Sequence, residues 1–203
     1  MKMILLTATL LGLAAGTSSA QGGDYPKAKV SFDDFKGLVA QVEAHRAERL
    51  VDLDTFLKMS QEEGTIILDS RSDFRFERIH VRGAKHLAFT DFTQDTLARV
   101  IPDFDTRVLI YCNNNFNGNE TDFPTKVALP RPISNKTAAR QFAAQAKPLM
   151  MALNIPTYVN LYGYGYRNVY ELHELVDVSD PRIAFEGTVA DQQLAAPATP
   201  VAK

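Results

Sequence analysis

Three short, unbroken apolar runs stand out along the chain, at 65–68, 107–111 and 158–161. Each is rich in β-branched or aromatic residues and is flanked by helical or turn-rich sequence, the pattern of strands buried on both faces of a parallel sheet. Helical spacing occupies the intervals. Over 31–48 it brings Phe32, Phe35, Leu38, Val39 and Val42 onto one stripe, with Ser31 placed to cap and Asp33 and Asp34 near the positive end. A shorter helix over 54–61 turns Leu53, Phe56, Leu57 and Met59 to the core and ends at Gly64. A short strand at 86–89 and a helix over 91–100 behind Thr90 come next. The longest stripe joins Ala139, Phe142, Ala143, Ala146, Leu149, Met150 and Leu153 on a helix kinked at Pro148. The expected architecture is α/β, a parallel sheet flanked by helices.

Two kinds of segment fall outside this alternation. At the start, Lys2, an apolar run over 4–15 and the small residues Ser18, Ser19 and Ala20 read as a signal peptide over 1–20. The run is too short to span a bilayer comfortably, so the expectation is an exported, periplasmic or secreted protein with no stable membrane span once the signal is removed. Residues 21–30, with Gly22, Gly23 and Pro26, read as a linker, 31–48 as an N-terminal helix and 49–178 as the main domain. Residues 179–203 drift into Ala, Pro and Gln and read as a flexible tail. The other exception is internal: 112–133 shows no sustained period and is crowded with Asn and Pro. It reads as a long loop, partly ordered by Phe116, Phe123, Val127, Leu129 and Ile133.

Composition narrows the chemistry. With 203 residues, 45% of them hydrophobic, the chain can bury one sizeable core. Its 22 Lys and Arg against 24 Asp and Glu leave a net charge of −2, which lacks the basic footprint of a nucleic-acid binder. The four histidines, His45, His80, His86 and His173, show no ligand spacing, and neither a metal nor a cofactor is expected. The single cysteine, Cys112, has no intramolecular disulfide partner. In an oxidising compartment such a residue is either inert in the core or kept for reactivity. It closes the 107–111 run, at the carboxyl end of a parallel strand, where open α/β sheets place their ligand crevices. A helix opening near Ser134 would turn N–H groups and its positive end toward a thiolate and lower the thiol pKa. The alternative is a small apolar residue finishing a core strand.

These residues carry a family resemblance. Asp69-Ser70-Arg71-Ser72 after an apolar strand, then Phe76, then His80-Val81-Arg82-Gly83-Ala84, then Tyr111-Cys112 closing a second strand, resembles a rhodanese-like domain from about residue 49 to 176. The segment from Leu161 to Arg167 is similar to that family's glycine turn, with tyrosines added and its usual Trp absent. The resemblance implies a cysteine that accepts sulfur as a persulfide, Cys112, with Asp69, Arg71 and His80 supporting the site. The chain departs from the family at Arg75, where a Glu is usual, which would leave Arg71 free for another partner. It departs again at Asn117, where active relatives often have Arg, and in its longer loop. Candidate substrate-binding residues are Asn113, Asn114, Asn115, Arg131, Ser134, Asn135, Lys136 and Tyr164. Glu120 and Asp122 would oppose a thiolate there, and Lys126, Arg131 and Lys136 would support one. Two functions follow. One is an exported sulfurtransferase or persulfide carrier working between a small sulfur donor and a thiol acceptor. The other is a non-catalytic module that recognises a protein partner or a small anion through the 113–133 loop, which is expected to cover the mouth of the Cys112 pocket.

Overall fold

The structure, a computed structural model, describes residues 25–128 and 149–190. Residues 1–31 and 32–203 form separate units, and the domain lies in the second. Its elements are α1 (Phe32–Ala47), β1 (Leu50–Val51), α2 (Leu53–Ser60), β2 (Thr65–Asp69), α3 (Asp73–Arg78), β3 (His80–Val81), β4 (Lys85–His86), α4 (Gln94–Val100), β5 (Arg107–Tyr111), β6 (Phe116–Asn117), β7 (Val127–Ala128), β8 (Leu149–Met150), α5 (Asn154–Gly163), β9 (Val169–Leu172), β10 (Val176–Asp177) and β11 (Phe185–Glu186). Two 3-10 turns, Phe89–Asp91 and Asn113–Asn115, complete them.

Five strands form one parallel sheet in the order β1-β9-β5-β2-β4, flanked by helices. The two-residue period of a strand divides the core into two layers. From β5, Leu109 and Tyr111 enter one layer with Leu53, Phe56 and Ile67. Val108 and Ile110 enter the other with Val42, Leu68, Leu97, Ile101 and Tyr158. Both faces of β5 are therefore buried, which is why its sequence is continuously apolar.

The third run, 158–161, is not a strand. It lies in α5, with Thr157, Tyr158, Val159 and Leu161 all buried. A short helical stretch buried on most sides has no polar face to betray its period, and Pro156 is tolerated because it falls in the first turn. The strand in its place is β9, whose apolar pattern is broken by Glu171. That carboxylate is buried and accepts hydrogen bonds from Arg46 of α1 at 2.5 and 2.6 Å.

Other boundaries shift for local reasons. α1 forms, but Phe32, Phe35 and Val39 are exposed, and the helix is held through Leu38, Val42, the Arg46 pair and a 2.9 Å contact of His45 Nδ1 with the Tyr158 hydroxyl. α4 begins at Gln94 because Thr93 and Thr96 cap each other, and residues 89–91 make a 3-10 turn instead. The strand expected at 86–89 is Lys85–His86. Leu149 and Met150, read as part of a helical stripe, form β8, antiparallel to β7. The rest of that stripe up to Pro148 lies outside the described residues.

The tail expected from residue 179 is packed at least to Ala190. Ile183 and Ala190 are buried in the layer of Phe56 and Leu109, β11 pairs antiparallel with β3, and β10 pairs in parallel with β6. Gly187 has φ +127°, and a Cβ there would stand 2.5 Å from the Arg78 carbonyl oxygen. Gly187→Ala is therefore expected to lower stability by about 1–3 kcal/mol, the usual cost of such backbone strain. Urea unfolding measures it, and an unchanged midpoint would show that this segment contributes nothing to the fold.

Candidate active site

Cys112 is the first residue beyond β5 and is 1% exposed. It caps the 3-10 turn that follows: the Asn115 backbone N–H reaches the Cys112 sulfur, and the Asn115 side chain returns to the Cys112 backbone, with Oδ1 accepting from its N–H at 2.9 Å. Backbone N–H groups of Asn113, Asn114 and Leu153 also donate to the sulfur. Leu153 precedes α5, so the cradle joins the loop after β5 to the amino end of α5, and the helix expected near Ser134 lies outside the described residues.

Burial pushes the Cys112 thiol up; those N–H groups and the charge of Lys126 pull the other way and do not cancel it. The expected low pKa is thus not found. An acid whose folded pKa is raised stabilises the fold fully below its unfolded pKa, about 8.5 for cysteine. That contribution is lost as pH rises through the higher folded value. Stability is accordingly expected to fall above about pH 8.5 more steeply in the wild type than in Cys112→Ala. Denaturant titrations from pH 7 to 10 measure this, and parallel curves would sink it.

The loop is held by groups chosen for their reach. Asn115 Nδ2 donates to the Leu172 and Glu174 carbonyls at 2.7 and 3.2 Å, and its Oδ1 also accepts from Asn154 Nδ2 at 2.9 Å. Asn114 exchanges two hydrogen bonds with the Lys126 backbone. Asn113 Oδ1 accepts from Arg71 Nη1 at 3.3 Å. Arg71 lies against the Asp69 carboxylate, with Nε and Nη2 at 3.0 and 2.7 Å, donates to the Ile79 carbonyl at 2.6 Å and stands over the Phe123 ring. Burial opposes its charge, but Asp69 more than offsets this and the guanidinium pKa rises. Arg71 is therefore fully engaged, not released by the absence of a Glu at 75. Asp69 also accepts the Tyr111 hydroxyl at 2.5 Å, and that hydroxyl accepts the Val81 N–H at 3.0 Å.

The other candidates separate. His80 stacks on Phe76 at 3.8 Å and contacts the Phe76 carbonyl through Nδ1 at 2.7 Å. Tyr164 caps the carboxyl end of α5, ten residues from the end that serves Cys112, and donates to the Phe92 carbonyl at 3.2 Å, so it does not wall this site. Asp122 is tied to Arg78 at 2.5 Å and to Asn119 at 3.0 Å instead of facing the sulfur. Arg131, Ser134, Asn135 and Lys136 lie outside the described residues. Through residue 128 the long loop is folded into the domain, with Phe116 and Phe123 in the core. Sequence reading missed Leu153 and Asn154, which had no motif to mark them, and Ser70 and Thr157, whose buried hydroxyls meet at 2.7 Å beside the same helix end.

The family comparison agrees with this fold. Residues 52–129 match the family model of the Rhodanese-like domain. These residues form a rhodanese-like domain. No curated protein matches it. The solved structure of the BH2092 protein from Bacillus halodurans is 16% identical, with 77% of this chain and 90% of that chain covered at a TM-score of 0.39.

Proposed function

We propose that this protein is an exported sulfurtransferase or persulfide carrier in which Cys112 accepts the sulfur. The observation that carries the reading is the ring of backbone N–H groups from Asn113, Asn114, Asn115 and Leu153 around one sulfur at the end of the central strand. Donors held in place by the fold stabilise negative charge at a sulfur without reorganising. The Cys112 thiolate attacks the outer sulfur of a persulfide R–S–SH; a bond forms from Sγ to that sulfur, the S–S bond of the donor breaks, and R–S⁻ departs with the electron pair. Attack by an acceptor thiolate on the outer sulfur of Cys112–S–SH reverses these roles and releases the Cys112 thiolate. Lys126 favours that thiolate electrostatically.

Incubation with a low-molecular-mass persulfide followed by intact-mass spectrometry is expected to add one sulfur, 32 Da, to the wild type and none to Cys112→Ser. Absence of the adduct in the folded wild type overturns the reading. It would favour a binding module, for which the specific observations are the 1% exposure of Cys112 and its raised pKa.

A further inference from the structure

Asn154 opens α5 directly after Leu153, whose N–H reaches the Cys112 sulfur. The residue is 5% exposed. Nδ2 donates to Asn115 Oδ1, the same oxygen that accepts the Cys112 backbone N–H. Oδ1 of Asn154 is buried and has no hydrogen-bond partner among the described residues. Exchanging the two amide atoms does not relieve this, since it would set the Asn154 oxygen against Asn115 Oδ1, an acceptor against an acceptor, and leave the amide nitrogen as the buried atom without a partner. The network thus fixes, among the described residues, an unpaired acceptor oxygen on the side chain that shares Asn115 Oδ1 with the Cys112 backbone. A buried acceptor left unpaired is costly, and such groups in folded proteins call for an explanation.

We infer that Asn154 Oδ1 is a substrate-recognition group that takes an N–H from the molecule exchanging sulfur with Cys112. The substrate class this selects is an amide- or amine-bearing thiol and its persulfide, not a sulfur oxyanion such as thiosulfate. The inference rests on the sulfur-transfer reading for its substrate class. A carbonyl oxygen is the negative end of the amide dipole, so it attracts an N–H and repels an oxyanion at the same position. The N–H groups and Lys126 serve the charge on the reacting sulfur, and Asn154 reads the part of the substrate beside it. Asn154 is a specificity-determining residue here and carries no proton in the reaction.

The test needs no natural substrate. Iodoacetamide and iodoacetate alkylate a thiol in the same way and have similar size, but one presents an N–H and the other a carboxylate. With the full chain at one pH, the ratio of the iodoacetamide to the iodoacetate rate at Cys112 is expected to exceed that of the urea-denatured chain by about five- to tenfold, the scale of one net hydrogen bond. In Asn154→Leu the ratio is expected to return to the denatured value. Loosening of the loop alone would change both rates together and leave the ratio intact. Asn154→Ser serves as a second variant with a smaller side chain should the leucine prevent folding, and the wild-type comparison with denatured chain needs neither. A wild-type ratio equal to the denatured one, or a high ratio that survives both substitutions, overturns the inference. Because alkylation requires no sulfur transfer, failure of the persulfide experiment and failure of this one are read separately.

Discussion

Arg71→Ala is expected to destabilise the domain by about 3–5 kcal/mol, the range for breaking a buried ion pair by removing one partner. Asp69 is fully buried and Arg71 is 2% exposed, so water cannot replace the lost guanidinium. The variant leaves the Asp69 carboxylate with the Tyr111 hydroxyl and the residue-71 backbone N–H, and leaves the Ile79 carbonyl without its side-chain donor. Arg71→Lys is expected to recover little, because one ammonium cannot reach the carboxylate, Ile79 and Asn113 in the directions the planar fork does. Urea unfolding of both variants measures the effect. A loss below about 1 kcal/mol in Arg71→Ala would mean that the pair is a surface-like contact and that the site is braced by something else.

Asn115→Ala is expected to cost about 2–4 kcal/mol, since one carboxamide satisfies two donors and two acceptors in a buried site. Its effect on chemistry is expected to be larger than that of any other loop residue. Without Oδ1 the Cys112 N–H and Asn154 Nδ2 lose their shared acceptor, and the loop after β5 detaches from the β9 end it now grips at Leu172 and Glu174. Cys112 alkylation is accordingly expected to accelerate several-fold as its burial is relieved, while persulfide formation falls with the loss of the N–H ring. Alkylation kinetics and intact mass on the same sample measure both. Unchanged alkylation in a destabilised variant would place Asn115 in the scaffold and outside the site.

The sheet was legible where strand and core coincide: β2 and β5 are apolar on both faces and nothing in their neighbourhood disguises them. β9 was hidden because Glu171 occupies a core-strand position that only Arg46, 125 residues away along the chain, makes tolerable. The 158–161 run misled for the complementary reason, a helix with too little solvent-facing surface to show its period. At the site, Cys112 and its position at a strand end were readable, as were Asp69 and Arg71 through the family resemblance. The partners of Cys112 from the start of α5 were not, because the contact spans 41 residues and consists largely of backbone N–H. The functional weight assigned to Asn113, Asn114 and Asn115 rested on residue type. The structure spends most of their side-chain hydrogen bonds on holding the loop, while their backbone N–H groups face the sulfur.

The pairing of β10 with β6 carries a consequence for the chain as it is made. Phe116 lies four residues beyond Cys112, yet its strand partner, Val176, emerges from the ribosome sixty residues later. The buried layer beside it is completed later still, by Ile183 and Ala190. Domains fold as units once their long-range partners exist, and contacts of large sequence separation close late. The nascent chain therefore carries Phe116 without its strand partner through a long stretch of synthesis, and the buried layer beside the Cys112 loop closes only as the last part of the domain docks.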